Sequence, residues 1–269
     1  MDIQGKTIVL TGASGGIGRA VAVALDKFGA RLVLVGRSQA RLDAVTDGLQ
    51  GRHHRTVVAD LTSNAGRANL RQVFAGDDST EGPDVLVNCL GVNALKLFHE
   101  QSADDIENQV STNLLSPMLV CHDLLPAMVR KPEALILNIG STFGSIGYPG
   151  FSSYCASKFG LRGFTEALRR ELADTPVRVS YVAPRATRTD LNSPEINAMN
   201  DALGTSTDDP IAVAGAIVDM IRGTPRASRF LGWPEKLFVR VNALLPQLVD
   251  KALRKQLPLI RRFAQSTSN

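Results

Sequence analysis

Residues 6–18 read Lys-Thr-Ile-Val-Leu-Thr-Gly-Ala-Ser-Gly-Gly-Ile-Gly, a short β-branched apolar run that ends in a turn holding Gly12, Gly15, Gly16 and Gly18. A helical pattern follows over 16–29, with apolar Ile17, Val21, Ala24, Leu25 and Phe28 and a stop at Gly29. Glycines in such a turn open backbone conformations closed to other residues. They also let the main chain approach a pyrophosphate, which then meets the positive end of the helix. A glycine cluster alone is satisfied by any tight turn. The strand before it and the helix after it point to a dinucleotide, with Gly12, Ser14, Gly16, Ile17 and Gly18 as the residues that hold it.

Outward from this turn, nearly continuous apolar runs recur at 31–36, 56–60, 84–88, 134–139 and 177–183, and a last one ends at Phe230-Leu231-Gly232. Continuous rather than alternating runs are what strands buried on both faces require. Helical patterns lie between them at 38–50, opening at Ser38 as an N-cap, and at 63–75, 102–129, 151–174 and 208–223. The alternation predicts an α/β fold: one Rossmann-type, doubly wound parallel sheet with helices on both faces and right-handed crossovers. Residues 1–232 are expected to form this domain, and 233–269 a helical extension that is not an independent domain.

At 269 residues, 44% hydrophobic, 21% charged and +4 net, the chain has a large core and no charge excess suited to nucleic acid. Cys89, Cys121 and Cys155 are odd in number and far apart, which argues against a disulfide framework or a metal site and fits a reducing, cytoplasmic setting. The N-terminus shows no basic signal region, and no apolar stretch reaches the ~18 residues of a membrane span.

The turn spacing, Thr-Gly-x-x-x-Gly-x-Gly, resembles the fingerprint of the short-chain dehydrogenase/reductase family, and further motifs follow in that family's order over roughly 5–232. They are Asp60-Leu61, Asn88-Cys89-Leu90-Gly91, Asn113, Ser141, Tyr154-x-x-x-Lys158, and Pro184-Arg185-Ala186-Thr187-Arg188-Thr189. The resemblance implies a seven-stranded fold and a dimer or tetramer formed through the long fourth and fifth helices. It implies that Asp60 and Leu61 meet the adenine, that Asn88 and Gly91 line the cofactor site, and that Pro184, Thr187 and Thr189 face the nicotinamide amide. It also implies that Asn113 holds a water linking Lys158 to solvent. Cys89 and Leu90 replace the usual alanines, and Arg185 stands where glycine is usual.

Four residues then account for carbonyl chemistry. Tyr154 and Lys158 share one helix face. The lysine ammonium is expected to draw the phenol, ordinarily near ~10, toward working pH, and to hydrogen-bond the nicotinamide ribose. Ser141 is expected to donate to the substrate oxygen. A lone Tyr-x-x-x-Lys pair is common on helices, and Ser141 or Asn113 alone reads as a turn or capping residue; their joint order behind the glycine turn favours catalysis.

At the end of the second strand, Gly36 replaces the acid that would bind a ribose 2′-hydroxyl. Arg37 and Ser38 follow it and suit a 2′-phosphate, so the cofactor is expected to be NADP(H). Phe143, Ile146, Tyr148 and Phe151, with Leu191, Ile196, Met199 and Leu203 of a lid segment, predict an apolar substrate site in which Phe143 and Tyr148 join Ser141 and Tyr154. The expected substrate is a hydrophobic carbonyl or alcohol: a 3-oxoacyl compound, a lipid, a steroid-like ketone or an aldehyde. The alternative is a catalytically weak NADP(H)-binding sensor or scaffold that acts through its tail on a membrane or protein partner, for which Arg185 is the one favouring feature.

Residues 234–269 hold seven basic and two acidic side chains, a surplus larger than that of the whole chain. Apolar residues recur among them at helical spacing, interrupted by Pro246 and Pro258, which are expected to kink or divide the segment. A basic amphipathic segment of this kind packs on its own body or a partner subunit, or lies on an anionic membrane surface.

Overall fold

The computed structural model describes residues 1–75, 82–223 and 226–265; residues 266–269 of the expected extension lie outside the described residues. Seven strands, β1 (Thr7–Thr11), β2 (Arg31–Gly36), β3 (Arg55–Val58), β4 (Val85–Asn88), β5 (Ala134–Ile139), β6 (Val177–Ala183) and β7 (Ser228–Phe230), pair in the order β3-β2-β1-β4-β5-β6-β7. Every pairing is parallel.

Side chains alternate across the sheet and fill both faces. Ile8 and Leu10 pack with Val21, Leu25, Val213 and Ile217 of α1 (Gly16–Asp26) and α8 (Pro210–Arg222). Val9 and Leu86 pack on the other side with Cys121, Leu124 and Met128 of α5 (Ser116–Met128) and Leu168 of α6 (Ser152–Glu171). The strand order reverses between β1 and β4, and an open α/β sheet receives ligands at the carboxyl ends of its strands at that point.

The single helix expected over 102–129 is instead α4 (Ala103–Val110), a π turn at Ser111–Leu115, and α5. Asn113 sits in the π turn, whose wider register is common at functional sites. The expected last strand falls two residues earlier, at Ser228–Phe230. The lid segment folds as α7 (Pro194–Ala202), capped by Ser193.

The extension forms α9 (Glu235–Leu244) and α10 (Pro246–Gln265). Pro246 divides the segment by opening α10, as proline at a first helical position does. Pro258 does not: α10 runs through it, because Pro258 and Arg254, whose carbonyl loses its helical partner, both lie on the exposed side. Ile260 and Ala264 are fully buried in a third apolar cluster with Leu95, Phe151, Tyr154, Ile196 and Met199, so the extension packs on its own body over the lid. Among the described residues no helix is long and apolar enough to cross a membrane.

Candidate active site

The glycine turn is compressed onto its surroundings. Gly12 has φ +65°, and a Cβ there would stand 2.8 Å from the Leu90 Cα. A Cβ on Gly18 would meet the Gly12 carbonyl oxygen at 2.2 Å, so α1 begins directly against the end of β1. Gly15 precedes α1 without a side-chain cap, which leaves the first N–H groups of the helix open to an anion. On Gly16 a Cβ would strike Thr189, which places the loop after β6 over the same helix end.

A cavity of about 490 Å³ runs from this turn to the extension. Of the residues expected at the cofactor, Gly16, Ile17, Gly18, Gly91, Tyr154, Lys158, Pro184, Thr187 and Thr189 line it. Ser141, Phe143 and Tyr148, expected at the substrate, line it too. Gly12 and Ser14 lie in the turn beneath, and Arg37, Ser38, Asp60 and Leu61 lie off the cavity, just past the ends of β2 and β3. A separate surface cleft among Met1, Asp219, Arg222 and Arg229 holds no member of this set.

The Asn88 side chain is held in the core. Its buried amide donates to Asn138 Oδ1 at 2.9 Å, and Asn138 donates to Thr165 Oγ1 at 2.9 Å. The side chain therefore ties β4, β5 and α6 together inside the core, and Cys89, Leu90 and Gly91 face the cavity in its place. Asn113 is likewise engaged. It accepts from the Val92 N–H at 2.8 Å and donates to the Val92 carbonyl at 2.9 Å and to Ser157 Oγ at 3.0 Å. Both amide hydrogens are thereby used.

Tyr154 and Lys158 both reach the cavity from one turn of α6, but their electrostatics differ from the sequence expectation. Burial pushes the phenol up to about 12, with a Ser141 hydroxyl hydrogen bond opposing it. Lys158 Nζ stands 5.8 Å from the Tyr154 ring centroid and donates to the Ile139 carbonyl at 3.2 Å. Its own burial pushes it down to about 8. Desolvation thus outweighs the attraction that was to lower the phenol. The neighbouring Cys89 thiol is pushed up to about 12 by burial, which keeps it a neutral, weak nucleophile.

Ser141 follows β5 and caps a one-turn 3₁₀ helix, accepting from the Phe143 N–H at 3.1 Å. Beneath it lies Tyr181 of β6, absent from the sequence reading. Its hydroxyl accepts from the Ser141 N–H and donates to the Ser141 carbonyl, both at 3.3 Å. A Cβ on Gly140 or Gly144 would strike the Tyr181 ring or hydroxyl, at 1.9 and 2.4 Å. Those two glycines flanking Ser141 were the available signal for a buried aromatic there.

Two more arginines complete the site. Arg41, one helical turn beyond Arg37, donates to the Ser14 carbonyl at 3.3 Å and brings a second cation to the glycine turn. Ser38 caps α2 (Gln39–Thr46) by accepting from the Arg41 N–H. Two hydrogen bonds from Thr62, side chain and backbone, hold the Asp60 carboxyl below its ordinary range, with a smaller contribution from the exposed Arg37. Arg185 pairs with Asp208 at 2.7 Å and with Glu235 of α9 at 3.2 Å. It therefore ties the loop after β6 to both the lid and the extension.

The apolar end holds Phe143 stacked on Tyr148 with ring centroids 4.7 Å apart, and Ile196 and Met199 of α7. Its far wall is the extension: Phe238, Val241, Leu248, Val249, Ala252 and Gln256. Tyr148 donates to Gln256 Oε1 at 3.1 Å. Helical spacing made the apolar stripe of the extension legible, but not where it would dock.

A family model described as short chain dehydrogenase matches residues 6–200. The chain is a short-chain dehydrogenase. It is an oxidoreductase of CH–OH and C=O groups. Over 244 residues this short-chain dehydrogenase is 32% identical to the 3-oxoacyl-(acyl-carrier-protein) reductase FabG of Vibrio cholerae, covering 91% of this chain and 96% of that one. It is 32% identical over 259 residues to the ketoacyl reductase HetN of Nostoc, covering 94% and 89%. A solved short-chain dehydrogenase of Burkholderia phymatum, in complex with NAD, shares the fold with a TM-score of 0.82 at 23% identity, over 92% of this chain and 96% of that one. The family match stops before α8, β7 and the extension.

Proposed function

We propose that this short-chain dehydrogenase uses NADP(H) to reduce the carbonyl of an apolar, acyl-type substrate, such as a 3-oxoacyl thioester, to an alcohol. The observation that carries this reading is the cavity itself, with an open helix N-terminus at one end, Ser141, Tyr154 and Lys158 midway, and an apolar wall at the other. The names of the FabG and HetN relatives support the substrate class.

The turn fits a dinucleotide, because the close approaches at Gly12, Gly16 and Gly18 leave backbone where side chains would stand. The opening N–H groups of α1 receive the pyrophosphate. Arg37 and Arg41 bind a 2′-phosphate with Ser38 beside them; a carboxylate in the place of Gly36 would repel it. Asp60 and Leu61 lie at the adenine, and Gly91, Pro184, Thr187 and Thr189 at the nicotinamide. A bound nicotinamide dinucleotide supplies the hydride that reduces the carbonyl carbon.

The phenol of Tyr154 gives its proton to the carbonyl oxygen as negative charge develops there, and the Ser141 hydroxyl donates to the same oxygen. Burial raises the phenol and lowers the ammonium, and both directions favour return of a proton from Lys158 to the tyrosinate. Lys158 is then recharged through a water at Asn113. Tyr181 positions Ser141 from below. Two copies pair through α5 and α6, where Leu115 and Phe159 are exposed beside or on those helices. The sensor alternative rested on Arg185, and the ion pairs of that residue give it a structural task.

The experiment is NADPH oxidation by the purified protein on a panel of 3-oxoacyl thioesters, apolar ketones and apolar aldehydes. Turnover on at least one class is expected. NADPH binding without turnover on any of them overturns the reading.

A further inference from the structure

Residues 233–248 concentrate exposed apolar side chains: Trp233, Leu237, Phe238, Leu244, Leu245 and Leu248. The greatest exposure is at the junction of α9 and α10, where Leu244 is 80% and Leu245 56% accessible. Soluble surfaces rarely group large apolar residues in this way without a partner. Around them stand exposed Lys236, Arg240, Lys251, Arg254 and Lys255, against a single exposed acid, Asp250. Among the described residues none of these five cations has a carboxylate within ion-pair distance.

The patch is continuous with the cavity. Phe238, Leu248 and Ala252 are exposed and also line it, so the apolar rim of α9 and α10 is the lip of the substrate opening. Protein interfaces deplete lysine at their centres, whereas leucines ringed by unpaired cations match the headgroup boundary of an anionic bilayer. We propose that the α9–α10 junction docks on an anionic lipid surface and that the substrate enters the cavity from that side. The route of entry rests on the function proposed above; the docking does not.

The test uses the full chain with vesicles of phosphatidylcholine alone or mixed with phosphatidylserine, read by co-sedimentation. Trp233 is the only tryptophan of the chain and adjoins α9, so its emission reports this surface directly. Each cation near the surface is worth about a fivefold gain in partitioning. The wild type is expected to sediment with anionic vesicles at low salt, to shift Trp233 emission to the blue, and to be released by high salt. The doubly substituted variant Leu244→Asp/Leu245→Asp is expected to lose about tenfold or more of this binding, with its melting temperature and NADPH affinity unchanged. Wild-type protein that stays in the supernatant overturns the proposal, as does binding that the double variant leaves intact. A junction that instead joins two copies would show as a dimer lost in the double variant, with no vesicle binding, and that result also overturns it. None of these readouts needs turnover, so failure of the docking is distinguishable from failure of the reductase reading.

Discussion

Replacing Arg185 by glycine, the residue usual at this place in the family, removes the strut that holds the extension. The guanidinium donates to Asp208 Oδ1 through Nε at 2.8 Å, and its Nη1 donates to the Trp233 carbonyl at 3.1 Å and to Glu235 at 3.2 Å. Gly232, at φ +85°, makes room for it, since a Cβ there would meet the Arg185 Cδ at 2.4 Å. The three side chains of the cluster are only 16–19% accessible, so their pairing lies between exposed and buried cases. Charge-assisted bonds are worth about 1.5–3 kcal/mol when sheltered and about 0–1 kcal/mol when exposed, which puts the loss at about 2–3 kcal/mol. For a chain of this size that is a fall of roughly 5–10 °C in melting temperature. Arg185→Gly is expected to show this fall in calorimetry, faster hydrogen exchange across α9, and a raised substrate KM with NADPH binding retained. An unchanged melting temperature together with unchanged exchange in α9 would refute the reasoning. Arg185→Lys, which keeps the charge without the planar fork, should fall between the two.

Three further outcomes follow from the site. Burial holds Lys158 at about 8 against an ordinary 10.5. Between those values the unfolded chain keeps a proton that the native chain has released, so the Lys158 contribution is most unfavourable below about 8 and is relieved as pH rises to 10.5. Lys158→Met should therefore melt higher than wild type at neutral pH, with the gap closing toward pH 10.5 in parallel melting curves; a constant gap would count against it. Arg37→Ala should lower the ratio of kcat/KM for NADPH over NADH by about tenfold to a hundredfold, the worth of one charge-assisted bond, and a wild type that prefers NADH would contradict the assignment. Val249→Phe narrows the apolar end of the cavity and should cut kcat/KM for long-chain thioesters about tenfold while sparing short ones; equal loss at all lengths would show that the extension does not contact the chain.

The sheet was legible because parallel strands buried on both faces write themselves as unbroken apolar runs: 31–36 and 134–139 appear at the predicted bounds. The glycine turn was legible for a related reason, since backbone packed within 3 Å of backbone admits no side chain. Other features depend on three-dimensional neighbours. Asn88 and Asn113 are asparagines of similar promise in the sequence, yet one is turned into the core and the other is spent on Val92. Tyr181 reads as one more strand residue, and only the fold sets its hydroxyl under Ser141. The phenol of Tyr154 reversed its expected shift because the depth of its burial is a tertiary property that spacing on a helix does not carry. Arg185 looked like a defect in a loop until Asp208 and Glu235, twenty-three and fifty residues away, were brought to it.

The most direct measurement of the central claim is Tyr154→Phe, assayed for NADPH-driven reduction beside the NADPH dissociation constant. Loss of a positioned proton donor should lower kcat/KM by about 10²–10⁴-fold while cofactor affinity stays within about threefold, ~0.65 kcal/mol. A variant that reduces the carbonyl at near wild-type rate would contradict the account.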